Sequence, residues 1–266
     1  MGIRRELQAG GGIFPPLASE RSVQPDVVLR LPTQPNHASF RDFQGAASPP
    51  GHEVVQGHVS SGFALLFQDK AAAERHLGSP VAAAPLGCVS KLKPDGTWKH
   101  RVIQDLKANQ VNLASSTPER QVLPTVFQHA RDVALLGLLA EAGGDADDIE
   151  TLVLDVKDAF MGVPLHPEEW PFNACGLDQP LRRGREALYD GEPDAGSFVV
   201  WAVLGFGGKP NPLVFARAAA FAARTGQALF KPTADAPGCE LAGLARCYVD
   251  DPIFTTKGSK IGRAHV

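Results

Sequence analysis

The sequence predicts an α+β fold in which antiparallel hairpins and packing helices occupy separate stretches of the chain. Three observations predict it. Residues 244–249 and 253–256 are short apolar runs on either side of Asp250 and Asp251, the pattern of a hairpin with two acids at its turn. Residues 81–93 and 98–104 read as a second hairpin, joined by the turn residues Lys93, Pro94, Asp95, Gly96 and Thr97. Residues 124–139 and the Ala-rich run from Asn211 to about Leu229 have helical spacing, each with a proline at a tolerated first-turn position.

From the start of the chain, residues 1–60 are rich in Gly, Pro, Ser and Gln, with seven prolines from Pro15 to Pro50 breaking any period. This stretch reads as a linker or poorly ordered arm with room for short docked pieces. Residues 63–77 read as a helix with Phe63, Leu66, Phe67 and Ala71 on one side and Gly78 as its stop. The hairpin at 81–104 carries basic residues on both arms. In the helix at 124–139, Val126, Ala130, Val133, Ala134 and Leu138 form the expected packing face. Residues 151–156 form a buried strand that runs straight into Asp155, an acid suited either to capping the next turn or to binding. Residues 171–176 and 197–204 read as two more strands, separated by a charged excursion at 182–196. Gly205, Phe206, Gly207 and Gly208 then make a loop before the helix that Asn211 caps. Neither phosphate-loop nor dinucleotide-binding glycine spacing is present.

With 266 residues and 44% hydrophobic content, the chain has enough apolar side chains for one large or two small cores. Its longest apolar run, residues 133–140, is too short to span a bilayer, and Arg4 and Arg5 have no apolar segment behind them, so no membrane partner and no export signal are expected. Four widely spaced cysteines without a CxxC pair suggest neither a zinc site nor a disulfide framework, and fit an intracellular, cytoplasmic or nuclear compartment. The net charge of -3 does not mark a nucleic-acid binder, although Lys91, Lys93, Lys99, His100, Arg101 and Lys107 form a local basic cluster.

Two carboxylates on a rigid hairpin can hold a divalent cation when a third comes from elsewhere in the chain, and Asp155 is the candidate. In order along residues 83–257, the motifs resemble the reverse transcriptases of retroelements. The run Leu154, Asp155, Val156, Lys157, Asp158, Ala159, Phe160, followed by Val163, Pro164, Leu165, His166 and Pro167, is similar to the first palm motif of that family. Phe206, Gly207, Pro212 and Phe215 resemble landmarks of the second, and Tyr248, Val249, Asp250 and Asp251 match the YxDD box. Lys93, Trp98, Arg101, Gln104, Asp105, Leu106 and Asn109 resemble its fingers hairpin.

The resemblance implies a right-hand polymerase palm with part of the fingers and no thumb. It parses the chain as fingers at 61–122, fingers or an insert at 163–206, and palm at 123–162 and 207–260; separately, residues 261–266, IGRAHV, read as a sequencing-adapter scar. It implies RNA-directed DNA synthesis on an RNA template and DNA primer, using dNTPs and two Mg2+ ions, with Mn2+ as a substitute. Asp155 and Asp250 would be the metal ligands, with the Val156 carbonyl joining them and Asp251 assisting. Lys93 and Arg101 would grip the triphosphate, with the backbone amides of Asp158 and Ala159 and the Gly207 loop also on the nucleotide. Phe160 matches the gate against a ribose 2′-hydroxyl. Pro210, the loop at 208–211 and Pro252 depart from the family pattern, and the chain ends soon after the YxDD box, as a truncated reading frame would, so the resemblance implies a nucleotidyltransferase by family but an inactive chain as it stands. A competing reading is a catalytically inactive remnant that only holds nucleic acid.

Overall fold

In a computed structural model, the protein is described over residues 22–42, 49–117, 123–142, 149–182, 190–191, 193–229, 243–249 and 251–257. The α+β class holds: all three sheets are antiparallel throughout, and helices pack beside them. The chain divides into two compact units, each built from two segments: Met1–Arg120 with Phe160–Asn211, and Gln121–Ala159 with Pro212–Val266.

The first unit begins with the helices α1 (Pro25–Val28), α2 (Ala38–Arg41) and α3 (Pro50–Ser60). Within the stretch expected as a linker arm, residues 22–42 and 49–60 thus carry docked helices, and the rest of 1–60 lies outside the described residues. Val28, Phe40 and Val55 are fully buried, and the prolines at 25 and 50 start helices rather than prevent them, because the N–H that proline lacks has no intrahelical partner in a first turn. The segment before α2 is clipped to the hairpin: Leu86 N–H donates to Asn36 Oδ1 at 2.8 Å, and His37 N–H donates to the Leu86 carbonyl at 2.9 Å.

The helix expected at 63–77 is two elements, the strand β1 (Ala64–Phe67) and the helix α4 (Lys70–Leu77). All four β1 residues are buried and pair with β6 (Ala195–Trp201), so sheet pairing overrides a local helical period. Asp69 caps α4, its side chain accepting from Ala72 N–H at 2.7 Å, and Gly78 ends it with φ +64. β5 (Ala174–Arg182) completes a sheet in the order β1-β6-β5 and is bulged between Gly176 and Leu181. The strand expected at 171–176 therefore starts later and runs into the expected excursion, since Pro171 lies in the 3₁₀ turn Pro167–Phe172. The basic hairpin forms as expected from β2 (Leu86–Leu92) and β3 (Trp98–Gln104), and the short α5 (Val111–Ala114) follows. Two clusters of buried apolar side chains, one around Trp201, Phe40 and Leu66 and one around Phe67 and Phe198, make the core of this unit.

The second unit is a sheet in the order β4-β8-β7, from β4 (Ile149–Val153), β7 (Gly243–Tyr248) and β8 (Asp251–Lys257), with the helices α6 (Val126–Ala142) and α7 (Asn211–Leu229). Both helices occupy the expected stretches, but α6 is turned over. It buries Asp132, Leu136 and Ala140, whereas Val126 is 75% and Leu138 64% exposed, with Ala130 and Ala134 exposed between them. The cause is the Arg246 guanidinium on β7, which makes a two-pronged ion pair with Asp132, including Nη2 to Oδ1 at 2.7 Å, and so draws the polar position of the helix inward. The ion pair raises the Arg246 pKa further, against a smaller opposing effect of burial. Among the described residues no helix is long and apolar enough to cross a membrane.

Candidate functional site

The acidic corner belongs to the second unit. The β4–β8 ladder runs from Ile149 opposite Lys257 to Val153 opposite Ile253. Leu154 N–H then donates to the Pro252 carbonyl at 2.9 Å. In an antiparallel sheet such a pair normally exchanges two hydrogen bonds, but Pro252 has no N–H to return. The ladder stops there, and residues 153–158 are all exposed. Continued past that bond, the register would set Asp155 opposite Asp251.

On its other side, β8 pairs with β7 up to Tyr248 opposite Asp251, so only two residues, the first of them Val249, connect the strands. Tight loops of this length favour positive φ, and Val249 adopts φ +56 although it is β-branched. Backbone strain is thus held beside the acids. Asp250 itself lies outside the described residues. Asp251 is half-buried, while Asp155, Val156 and Asp158 are exposed. Asp158 takes φ +51, a conformation Asp tolerates better than most residues, and the chain turns there into the 3₁₀ helix Ala159–Gly162 with Ala159 buried.

Two features that sequence reasoning missed hold β7 in place. One is the Asp132–Arg246 pair. The other is Gln227 on α7, whose amide acts as a stand-in strand: its Nε2 donates to the Gly243 carbonyl at 3.0 Å, and its Oε1 accepts from Ala245 N–H at 2.7 Å. The sequence signal for the first was an aspartate one position before the apolar run at 133–140. For Gln227 there was none.

A second cluster lies in the first unit. The Arg101 guanidinium sits 6.0 Å from the centre of the Phe206 ring, and Phe206 meets Phe160 edge to face at 5.5 Å. The glycine loop that carries Phe206 is pinned at several points. Gln104 N–H donates to the Phe206 carbonyl at 2.9 Å, Asn112 Nδ2 to the Gly207 carbonyl at 3.0 Å, and Lys209 N–H to Asn112 Oδ1 at 2.8 Å. Gly207 adopts φ +120 and lies so close to the Gln104 carbonyl oxygen that a Cβ would collide with it. Glycine is required at this position by space as well as by conformation.

Of the expected triphosphate ligands, Arg101 stands at this aromatic cluster and Lys93 does not. Lys93 closes the hairpin turn, its N–H donating to the Thr97 carbonyl at 2.8 Å, and Thr97 is four residues from Arg101, about 13 Å along an extended strand. Lys91 and Lys99 lie between them, directly opposite each other. Val89, Lys91, Lys99 and Arg101 share one face of the hairpin, and two like charges directly across a ladder are destabilising unless an anion compensates them.

Comparison of the chain with protein-family models and with curated proteins gives no match.

Proposed function

We propose that the chain carries the palm and part of the fingers of an RNA-directed DNA polymerase, and that its chemistry is two-metal nucleotidyl transfer from dNTPs. The supporting observation is the β4–β8 register, which, continued past Leu154, would carry Asp155 to the position opposite Asp251 at the open end of the sheet although 96 residues separate them in sequence. The donors available there suit Mg2+ or Mn2+: hard carboxylate oxygens, with the backbone carbonyl of the exposed Val156 as a further oxygen. In this reading Asp155, Asp250 and Asp251 hold the ions with the Val156 carbonyl, and two bound ions supply charge stabilisation to the attacking and leaving oxygens. Arg101 offers a planar, permanently charged fork for the triphosphate. Phe160, supported edge-on by Phe206, presents the ring that would crowd a ribose 2′-hydroxyl. The basic face of the β2–β3 hairpin, with Lys91, Lys99 and Arg101, offers charge for a nucleic-acid backbone.

Primer extension on an RNA template with dNTPs and Mg2+ tests this reading. Asp155→Asn and Asp250→Asn should each lower extension by about a thousandfold, the equivalent of about 4 kcal/mol of lost charge stabilisation. Mn2+ binding followed by electron paramagnetic resonance should weaken in the same variants. Extension by both variants at the parent rate, with unchanged Mn2+ binding, would sink the assignment. One observation favours a second reading, a module that holds nucleic acid without catalysis: the facing Lys91 and Lys99 need an anion but no acid. Salt-sensitive RNA binding without divalent metal, in a protein that extends no primer, would select it.

A further inference from the structure

We propose that the outward face of α6 is a self-association surface on which a second copy of this chain docks antiparallel about a two-fold axis. The helix buries Asp132, Leu136 and Ala140 against its own sheet, and the opposite side repeats at helical spacing as Ala130, Arg131, Ala134, Leu138 and Glu141, all exposed. Leu138 is 64% and the neighbouring Leu135 43% exposed. Between Arg131 and Glu141, which carry opposite charges, this stripe is apolar, and Phe127, 82% exposed, continues it one turn before Arg131.

The arrangement is self-complementary. An axis crossing α6 between Ala134 and Leu138 lies as far from Arg131 as from Glu141, and as far from Ala134 as from Leu138. Arg131 then faces Glu141 of the partner subunit, and Leu138 fills the space left by Ala134 of the partner subunit, each contact made twice by symmetry. A parallel copy would bring like ends together and lose both ion pairs. The charge pattern thus selects a second copy of this chain, in one orientation, over an arbitrary apolar partner. The proposal rests on α6 alone and is independent of the polymerase reading.

Sedimentation velocity of the full chain over a wide concentration range tests it. A monomer–dimer equilibrium is expected, with Leu138→Glu abolishing the dimer. Arg131→Glu and Glu141→Arg should each weaken association by at least about tenfold, because each places like charges together twice. The double variant R131E/E141R should regain the parent association. All three substituted residues are exposed, so each variant should keep the parent's circular dichroism, and its melting temperature at concentrations where the parent is monomeric. A monomer at every concentration, a dimer indifferent to either single reversal, or a double variant no better than the singles would overturn the proposal.

Discussion

At the scale of single residues, the polar groups that the fold buries say most about how it responds to its surroundings. His52 on α3 is 3% exposed, stacks on Phe40 with ring centres 4.6 Å apart, and has neither ring nitrogen hydrogen-bonded. Burial lowers its pKa from the ordinary histidine value, and the charge of Asp178 only partly offsets this. The folded protein therefore resists protonating His52, whereas the unfolded chain does not. Its effect on stability is absent above the ordinary histidine pKa of about 6.5, and a loss appears as pH falls through that value and grows until the depressed folded pKa is reached. We expect the melting temperature to fall between about pH 7 and pH 5, with His52 contributing a slope of at most about 1.4 kcal/mol per pH unit. His52→Leu should flatten that limb. Thermal melts across the range check it, and an unchanged slope in the variant would remove His52 as the cause.

At the scale of elements, Pro252 decides where the β4–β8 ladder ends. Its carbonyl accepts from Leu154, but nothing is returned, so β4 ends at Val153 and Asp155 stands just past the last rung. Pro252→Ala would supply the absent donor and lengthen the β4–β8 ladder. Amide exchange at Leu154 should then slow by about fivefold, the worth of one hydrogen bond of about 1 kcal/mol, while global stability changes little because proline's restriction of the unfolded chain is lost at the same time. Unaltered exchange at Leu154 would show that the ladder ends for another reason. The same proline was visible in the sequence as a departure from the family pattern. What could not be read there was its partner, since the side of β8 that faces β4 follows only from the register.

At the scale of the whole molecule, the two units are built differently. The first has two apolar clusters and draws its helices from a proline-rich stretch that reads as linker, because burial of Phe40 and Val55 compensates for the entropy of ordering it. The second relies more on polar fastening, through Asp132 with Arg246 and Gln227 with the β7 backbone. Arg246→Met leaves Asp132 buried without its partner, so the second unit should lose about 3 kcal/mol of stability and the first almost none. Hydrogen exchange resolved by residue separates the two: amides of β4, β7 and β8 should exchange faster, and those of β1, β5 and β6 should not. Equal acceleration in both units would mean that they unfold as one.

By itself the sequence determined the α+β class, the basic hairpin, the two long helices and the hairpin that carries Tyr248 and Asp251, because turn residues, apolar period and capping act over a few neighbours and leave local marks. Only the tertiary structure decided which face of α6 is buried, that residues 64–67 are strand rather than helix, and that Leu154 meets Pro252 at the end of the β4–β8 ladder. Each of these depends on a partner distant in the chain: Arg246 for Asp132, β6 for β1, and β8 for β4. Pairing across such distances is chosen by register and burial, and neither is written in any local stretch of residues.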